Sequence, residues 1–156
     1  FDLSDSLTLN AGIRYTQDEG ELQNFTSTGT FLLPADTSLV VPFIVDDAAN
    51  DQGYSDSAVT GKLGLDLKLD NGSLMYGHYS RGYRSSAFDG SALFSATSLS
   101  TAAPETIDTV EFGYKTQFAE NRTQVNAAVF VSNYNDLQSL NVISATESEL
   151  VNEAAE

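Results

Sequence analysis

The stretch TVEFGYKTQFAENRTQVNAAVFV, residues 109–131, decides the fold. It alternates with a period of two, breaks at a short polar link, and alternates again, the signature of paired strands. One stripe carries Val110, Phe112, Tyr114, Thr116 and Phe118, then Val125, Ala127, Val129 and Val131. The other carries Glu111, Gly113, Lys115 and Gln117, then Gln124, Asn126, Ala128 and Phe130. With the four-residue link 119–122 closing a hairpin, Phe112 is expected opposite Val129, Tyr114 opposite Ala127 and Val110 opposite Val131. Every charge of this ribbon then lies on one side and its apolar stripe on the other.

Working outward, the same period predicts five strands, at about 7–16, 58–69, 73–84, 107–118 and 123–138. Asp70-Asn71-Gly72 reads as a tight hairpin turn, with Asn71-Gly72 as the two central residues and Asp70 opposite Ser73. That register sets Leu67 against Tyr76, Gly64 against Tyr79 and Lys62 against Arg81, and turns His78 toward the apolar side. Long polar segments occupy 17–57, 85–105 and 141–156. The first holds eight acidic residues and no Lys or Arg. In the last, Thr146-Glu147-Ser148-Glu149 fits a capping box and predicts a short helix.

Composition narrows the function. Of 156 residues, 22 are acidic and seven basic, for a formal charge of −15. Such a chain does not suit nucleic acid, which rewards clustered Lys and Arg. There is no cysteine and one histidine, so thiol chemistry, Cys-ligated metal and a Ser-His-Asp triad find no support. Asp108 and Glu111, three apart in a strand, point to opposite faces, which removes a carboxylate pair. No enzyme activity and no cofactor are expected. Asp46, Asp47, Asp51 and Asp56 lack the spacing of a calcium loop and read as a solvated acidic surface.

No apolar run reaches the about 18 residues of a membrane helix. Strands, however, cross a bilayer with about 9–11 alternating residues. Short turns at one rim and long loops at the other are the layout of a transmembrane barrel. The expected fold is therefore all-β, with antiparallel up-and-down strands forming part of a transmembrane β-barrel. Five strands cannot close one, because the smallest have about eight.

Three motifs, in order, resemble the TonB-dependent outer-membrane receptors. They are LTLNAGIRYTQDE (residues 7–19), LMYGHYSRGYRSSAFDG (residues 74–90) and PETIDTVEFGYKTQFAENRTQVNAAVFVSNYNDLQ (residues 104–138). The resemblance is strongest to the iron-complex type. Ser86, Ala87 and Asp89 depart from the family's usual Gly-Gly and Asn at the rim. The resemblance implies a 22-stranded barrel with a plugged lumen, of which these residues are an internal piece without plug or energy-coupling box. It implies a bacterial outer-membrane location and active uptake of a ferric siderophore or similar large nutrient. The partners it implies are outer-membrane lipid and lipopolysaccharide, and the TonB complex acting through the plug.

Arg81, Tyr83 and Arg84 at the rim are the candidate contacts to an anionic ligand; the plainer reading gives them interfacial and ion-pairing roles. Phe1, Tyr15, Tyr76 and Phe118 fall where an interfacial aromatic girdle belongs. Two other classes remain open from residues alone: a passive porin-like channel, and a secreted soluble β-sandwich binding module that would bury its Leu63–Leu69 face within itself.

Overall fold

The computed structural model describes residues 1–23, 26–33, 37–44, 51–89, 99–118, 120, 122–144 and 147–153. In chain order the strands are β1 (Leu7–Leu22), β2 (Ser27–Leu33), β3 (Thr37–Ile44), β4 (Gln52–Lys68) and β5 (Leu74–Arg84). There follow β6 (Ala87–Phe88), β7 (Thr101–Ala102), β8 (Glu105–Phe118), β9 (Thr123–Asn135), β10 (Leu137–Ser144) and β11 (Glu147–Glu153). Strands β1, β4, β5, β8 and β9 form one sheet in that order, while β2–β3, β6–β7 and β10–β11 are separate two-stranded sheets. The chain divides into two compact units. A wall unit comprises Phe1–Thr16, Ser57–Tyr83 and Thr106–Asn135, and a loop unit Gln17–Asp56, Arg84–Glu105 and Asp136–Glu156.

The β8–β9 hairpin has the register its sequence predicts: Val110 faces Val131, Phe112 faces Val129, Tyr114 faces Ala127 and Phe118 faces Thr123. Strict alternation excludes a one-residue slip, which would turn one apolar stripe to the polar side, and the short link fixes the rest.

The β4–β5 hairpin corrects its expected register by one residue. Lys68 faces Leu74, Leu67 faces Met75, Leu65 faces Gly77, Leu63 faces Tyr79 and Gly61 faces Arg81. The cause is the turn. Gly72 N donates to Leu69 O at 2.9 Å, and Leu69 N donates to Ser73 O at 2.8 Å. Gly72 has φ +77° and Asn71 has no positive φ, so Asp70-Asn71-Gly72 is a three-residue loop with glycine in the left-handed position, not a two-residue type I′ turn. The slip reverses the phase of β5. Tyr76 and His78 join the polar side, opposite Asp66 and Gly64. Tyr79 lies across from Leu63 rather than over Gly64, and Lys62 meets Ser80, which removes the unfavourable Lys62–Arg81 pairing. Arg81 moves to the apolar side, so not every strand charge lies on the polar face. Tyr76 likewise leaves the expected girdle.

Ser73 closes the hairpin's base. Asn71 Oδ1 accepts from Ser73 N at 3.0 Å. The Ser73 hydroxyl, only 1% exposed, donates to Thr116 Oγ1 at 2.8 Å and accepts from Tyr114 at 3.0 Å. Replacing Gly72 with Ala, at an angle that L-residues adopt with strain, is expected to cost the complete barrel about 1 kcal/mol in a urea titration.

Glycines on both faces are covered by rings from the adjoining strand. A Cβ on Gly113 would run into the Tyr76 ring, and one on Gly77 would sit 2.9 Å from Phe112. These contacts put Phe112 on the same face as Leu65 and Tyr76 on the same face as Glu111. Leu74, opposite Lys68, and Phe130, opposite Glu111, are large apolar side chains on the polar side, and Phe130 is 64% exposed.

No core forms beneath the apolar face. Among the described residues the buried hydrophobic side chains are Leu99 and Ala102, both in the loop unit. Leu63 is 56% exposed, Phe112 61% and Val129 67%. This overturns the soluble sandwich, whose Leu63–Leu69 face would have been buried within the chain. Val110 to Phe118 spans eight residue steps. At about 3.4 Å per step and a tilt of about 40°, that stripe rises roughly 21 Å. The apolar belt of an outer-membrane barrel is about 25 Å tall.

The long segments carry more order than expected. β1 and β4 extend into 17–57, which also holds the β2–β3 hairpin, with Phe31 opposite Leu39. Within 85–105, Ala87 pairs with Ala102. The strand expected over 123–138 breaks at Asp136, whose φ is +56°, and the chain restarts as β10. The described residues of the tail form a strand pair rather than loop or helix: β10 pairs with β11 from Leu137 opposite Glu153 to Ser144 opposite Glu147. Thr146 of the capping pattern lies outside the described residues; Glu147, Ser148 and Glu149 belong to β11, where a ladder of paired backbone groups outweighs local side-chain bonds.

Candidate functional site

Two surfaces carry side chains arranged for recognition. The first is the polar face of the wall unit. A shallow cavity of about 520 Å³ is lined there by Asn10, Lys62, Asp66, Tyr76, His78, Glu111 and Lys115. The side chains tie one another in place. Tyr76 donates to Glu111 at 2.8 Å and Asn10 donates to Asp66 at 2.9 Å. The Lys115 ammonium lies 5.2 Å above the Tyr76 ring, and the His78 ring stacks 6.0 Å from it. Alternation places acids, bases and amides here, and the one-residue slip of β5 brings Tyr76 and His78 among them. A mixed-charge, hydrogen-bonded face of this kind contacts water or protein; an apolar phase would leave its donors unmet.

The second surface is the loop unit, which is held by amide side chains bonded to backbone. Gln138 Nε2 donates to Ser85 O at 2.9 Å and Ala103 O at 2.8 Å, while Gln138 N donates to Glu105 Oε2 at 2.9 Å. Asn152 pairs with the Ala103 peptide at both ends, accepting from its N–H at 2.7 Å and donating to its C=O at 2.9 Å. The Asp89 carboxylate accepts from Leu150 N at 3.1 Å, and Asp56 accepts from Ser86 N at 3.0 Å. Gln52 joins Leu99 O at 3.0 Å and the Thr101 hydroxyl at 2.6 Å. Gln138, Asp89 and Ser86 are all buried. The loops are thereby fastened by bonds that solvent cannot easily replace.

Removing the Gln138 amide strands the Ser85 carbonyl, while Ala103 O keeps its bond from Asn152, at an expected cost of about 1–3 kcal/mol. Gln138→Leu is expected to speed amide exchange and protease nicking within 85–103, leaving protection of β8 and β9 unchanged.

The three rim candidates separate. Arg81 lies on the apolar side with Leu63 and Tyr79, and its guanidinium is 3.8 Å from Asp108, which also accepts the Tyr79 hydroxyl. Tyr83 is half-buried at the end of the wall unit. Arg84 belongs to the loop unit, exposed over 61% of its side chain, with Glu105 at 4.0 Å. Of the acids weighed for calcium, Asp46 and Asp47 lie outside the described residues. Asp56 is a backbone anchor and Asp51 is exposed. No group of three metal-ligating side chains occurs among the described residues. Sequence reasoning missed Gln138, Asn152 and Gln52, because amides in polar segments give no periodic signal and most of their partners are 33 to 53 residues away.

Comparison with known proteins agrees with this wall-and-loop arrangement. The family described as "TonB dependent receptor-like, beta-barrel" matches residues 1–152. No curated protein matches the chain. Among solved structures, it is similar to the hemophore receptor HasR of Serratia marcescens, a double mutant in complex with its hemophore HasA and heme. The TM-score is 0.60 at 17% identity, over 96% of this chain. The chain spans 27% of the length of that receptor. A one-sided antiparallel wall with an uncovered apolar stripe is the local form of such a barrel, and the chain belongs to the TonB-dependent receptor β-barrel family of the bacterial outer membrane.

Proposed function

We propose that this chain supplies wall and outer loops of a receptor that takes up a large, scarce nutrient across the outer membrane, driven by TonB through a plug elsewhere in the protein. A ferric siderophore or another iron complex is the favoured cargo; the heme bound by the similar hemophore receptor is a cargo of that class. The observation that carries the reading is the loop unit. Its bonds from the buried Gln138 and from the half-buried Asn152 hold several loops in one arrangement, as preorganised ligand recognition needs and a simple pore rim does not. The long-loop rim then faces the outside, and the polar face of the wall lines the lumen beside the plug.

Within this reading, Arg84 is the rim contact to an anionic cargo, and Tyr83, which shares the outward side of β5 with Arg81, is assigned none. The 4.0 Å separation from Glu105 is too long for a hydrogen bond, so Arg84 retains donors for a ligand carboxylate or catecholate. Arg81, on the outward side, is assigned no part in cargo binding. Arg84→Ala is expected to weaken cargo binding about tenfold, checked by titrating the complete receptor with the iron complex that supports growth.

The transport reading is tested in cells dependent on this receptor for iron. Accumulation of radiolabelled ferric complex is expected to stop when the TonB gene is deleted or the proton gradient is collapsed. Unchanged accumulation under both treatments would establish a passive channel instead.

A further inference from the structure

The β10–β11 hairpin of the loop unit has one edge capped and one edge open. Leu140 lies opposite Leu150. Leu150 N donates to Asp89 Oδ2 at 3.1 Å, and Leu150 O accepts from the Ser100 hydroxyl at 3.3 Å, so both backbone groups point away from β10. Leu140 and Leu150 are therefore a non-hydrogen-bonded pair, and the N–H and C=O of Leu140 point out of the opposite edge. Gln138, two residues earlier, has the same direction, because its N–H donates to Glu105. The alternation carries that direction on to Val142, where a bulge ends the regular ladder. Among the described residues nothing pairs with Leu140 or Val142 on this side.

The open edge also lacks the devices that keep a strand edge solitary. β10 reads LQSLNVIS, with no charged residue and no proline. Leu140 is 55% exposed and Val142 68%. The two sides of the hairpin differ. Leu140 and Val142 share one side with Leu150, while Ser139 and Asn141 share the other with Val151, Glu149 and Glu153. Charge then selects the occupant. The loop unit holds 15 of the chain's 22 acidic residues and one of its seven basic ones, Arg84. A second copy of this surface, or an anionic lipid headgroup, would be repelled, whereas a cationic segment would be drawn in.

We propose that the open edge of β10 is a docking site for an extended, basic segment of a partner protein. The segment adds a strand to the hairpin, with apolar side chains over Leu140 and Val142 and lysines or arginines on the side of Glu149 and Glu153. Backbone pairing supplies affinity, and the alternation of its side chains supplies selectivity. The inference rests on the outward placement of the loop unit in the uptake reading, and it adds a polypeptide partner to the iron complex assigned to Arg84.

The test uses the complete receptor in neutral detergent, with heat-modifiable gel mobility confirming that each variant is folded. The probe is a fluorescent peptide of alternating valine and lysine, followed by anisotropy. Two counterparts are titrated in parallel. One has glutamate in place of lysine; the other is N-methylated along its backbone, alike in side chains and charge but without donors for a strand edge. The valine-lysine peptide is expected to bind about tenfold or more tightly than either. Leu140→Pro is expected to weaken it by a similar factor, and the N–H it removes points outward, so the β10–β11 ladder is kept. Equal binding of the N-methylated peptide, equal binding of the glutamate peptide, or undiminished binding by Leu140→Pro overturns the site. Failure of the valine-lysine peptide to bind overturns it too, because another part of the receptor then covers the edge. Iron accumulation that persists without TonB would replace the transport reading and leave the peptide result standing.

Discussion

Val129→Lys in the complete barrel is expected to lose about 2–4 kcal/mol of folding free energy in a lipid bilayer, while Asn126→Lys stays within about 0.5 kcal/mol of the unaltered protein. Both positions lie on β9, both are exposed, and they differ by three residues, so the face each occupies decides the outcome. Val129 pairs with Phe112 in the middle of the apolar stripe. An ammonium there must be desolvated or drawn toward an interface, at a cost that peaks at the bilayer midplane. Asn126 pairs with Lys115 on the polar side, where a second cation remains hydrated. Urea titration in vesicles reads the two values directly. A soluble sandwich core would also penalise Val129→Lys, but the difference would then persist without lipid or detergent.

Gly61→Ala is the second substitution with a large effect. It is expected to destabilise the barrel by about 2–3 kcal/mol, whereas Gly12→Ala is expected to be close to neutral. An added methyl at Gly61 falls 2.5 Å from the Gly12 carbonyl oxygen, and that atom is backbone in the neighbouring strand. No rotamer can move it, so β1 and β4 must shift apart and strain their ladder. A methyl on Gly12 meets nothing within 4 Å. The contrast controls for helix or strand propensity, since both changes replace glycine by alanine within a strand. Chemical denaturation of the two variants side by side checks it.

How far the chain could be read from its residues differs from one element to the next, for identifiable physical reasons. The β8–β9 ribbon was legible in full because Val110 to Phe118 and Val125 to Val131 alternate without a break, which excludes a one-residue slip, and the short link sets the register. The β4–β5 hairpin was legible as a hairpin but not in register. Asp70-Asn71-Gly72 serves a two-residue or a three-residue loop, and β5 mixes Met75, Tyr76, Gly77, His78 and Tyr79, so its faces do not declare themselves. That ambiguity of one residue carried Arg81, Tyr76 and His78 to the wrong sides. The β10–β11 hairpin was misread because a capping pattern is local, whereas the ladder that prevails forms across a turn. The amide clasp of Gln52, Gln138 and Asn152 was not legible at all, since it depends on which loops meet in three dimensions.

The absence of cysteine makes the placement of the two faces directly measurable. Single cysteines at Leu65, Phe112 and Val129, and at Asp66, Lys115 and Asn126, are labelled with an environment-sensitive fluorophore in the complete barrel reconstituted in vesicles. Lipids brominated on their acyl chains are expected to quench the first three strongly and the second three weakly, with iodide in the water showing the reverse order. Equal quenching of both sets by the brominated lipids, or stronger quenching at Asp66, Lys115 and Asn126, would contradict the assignment of the apolar stripe to the bilayer.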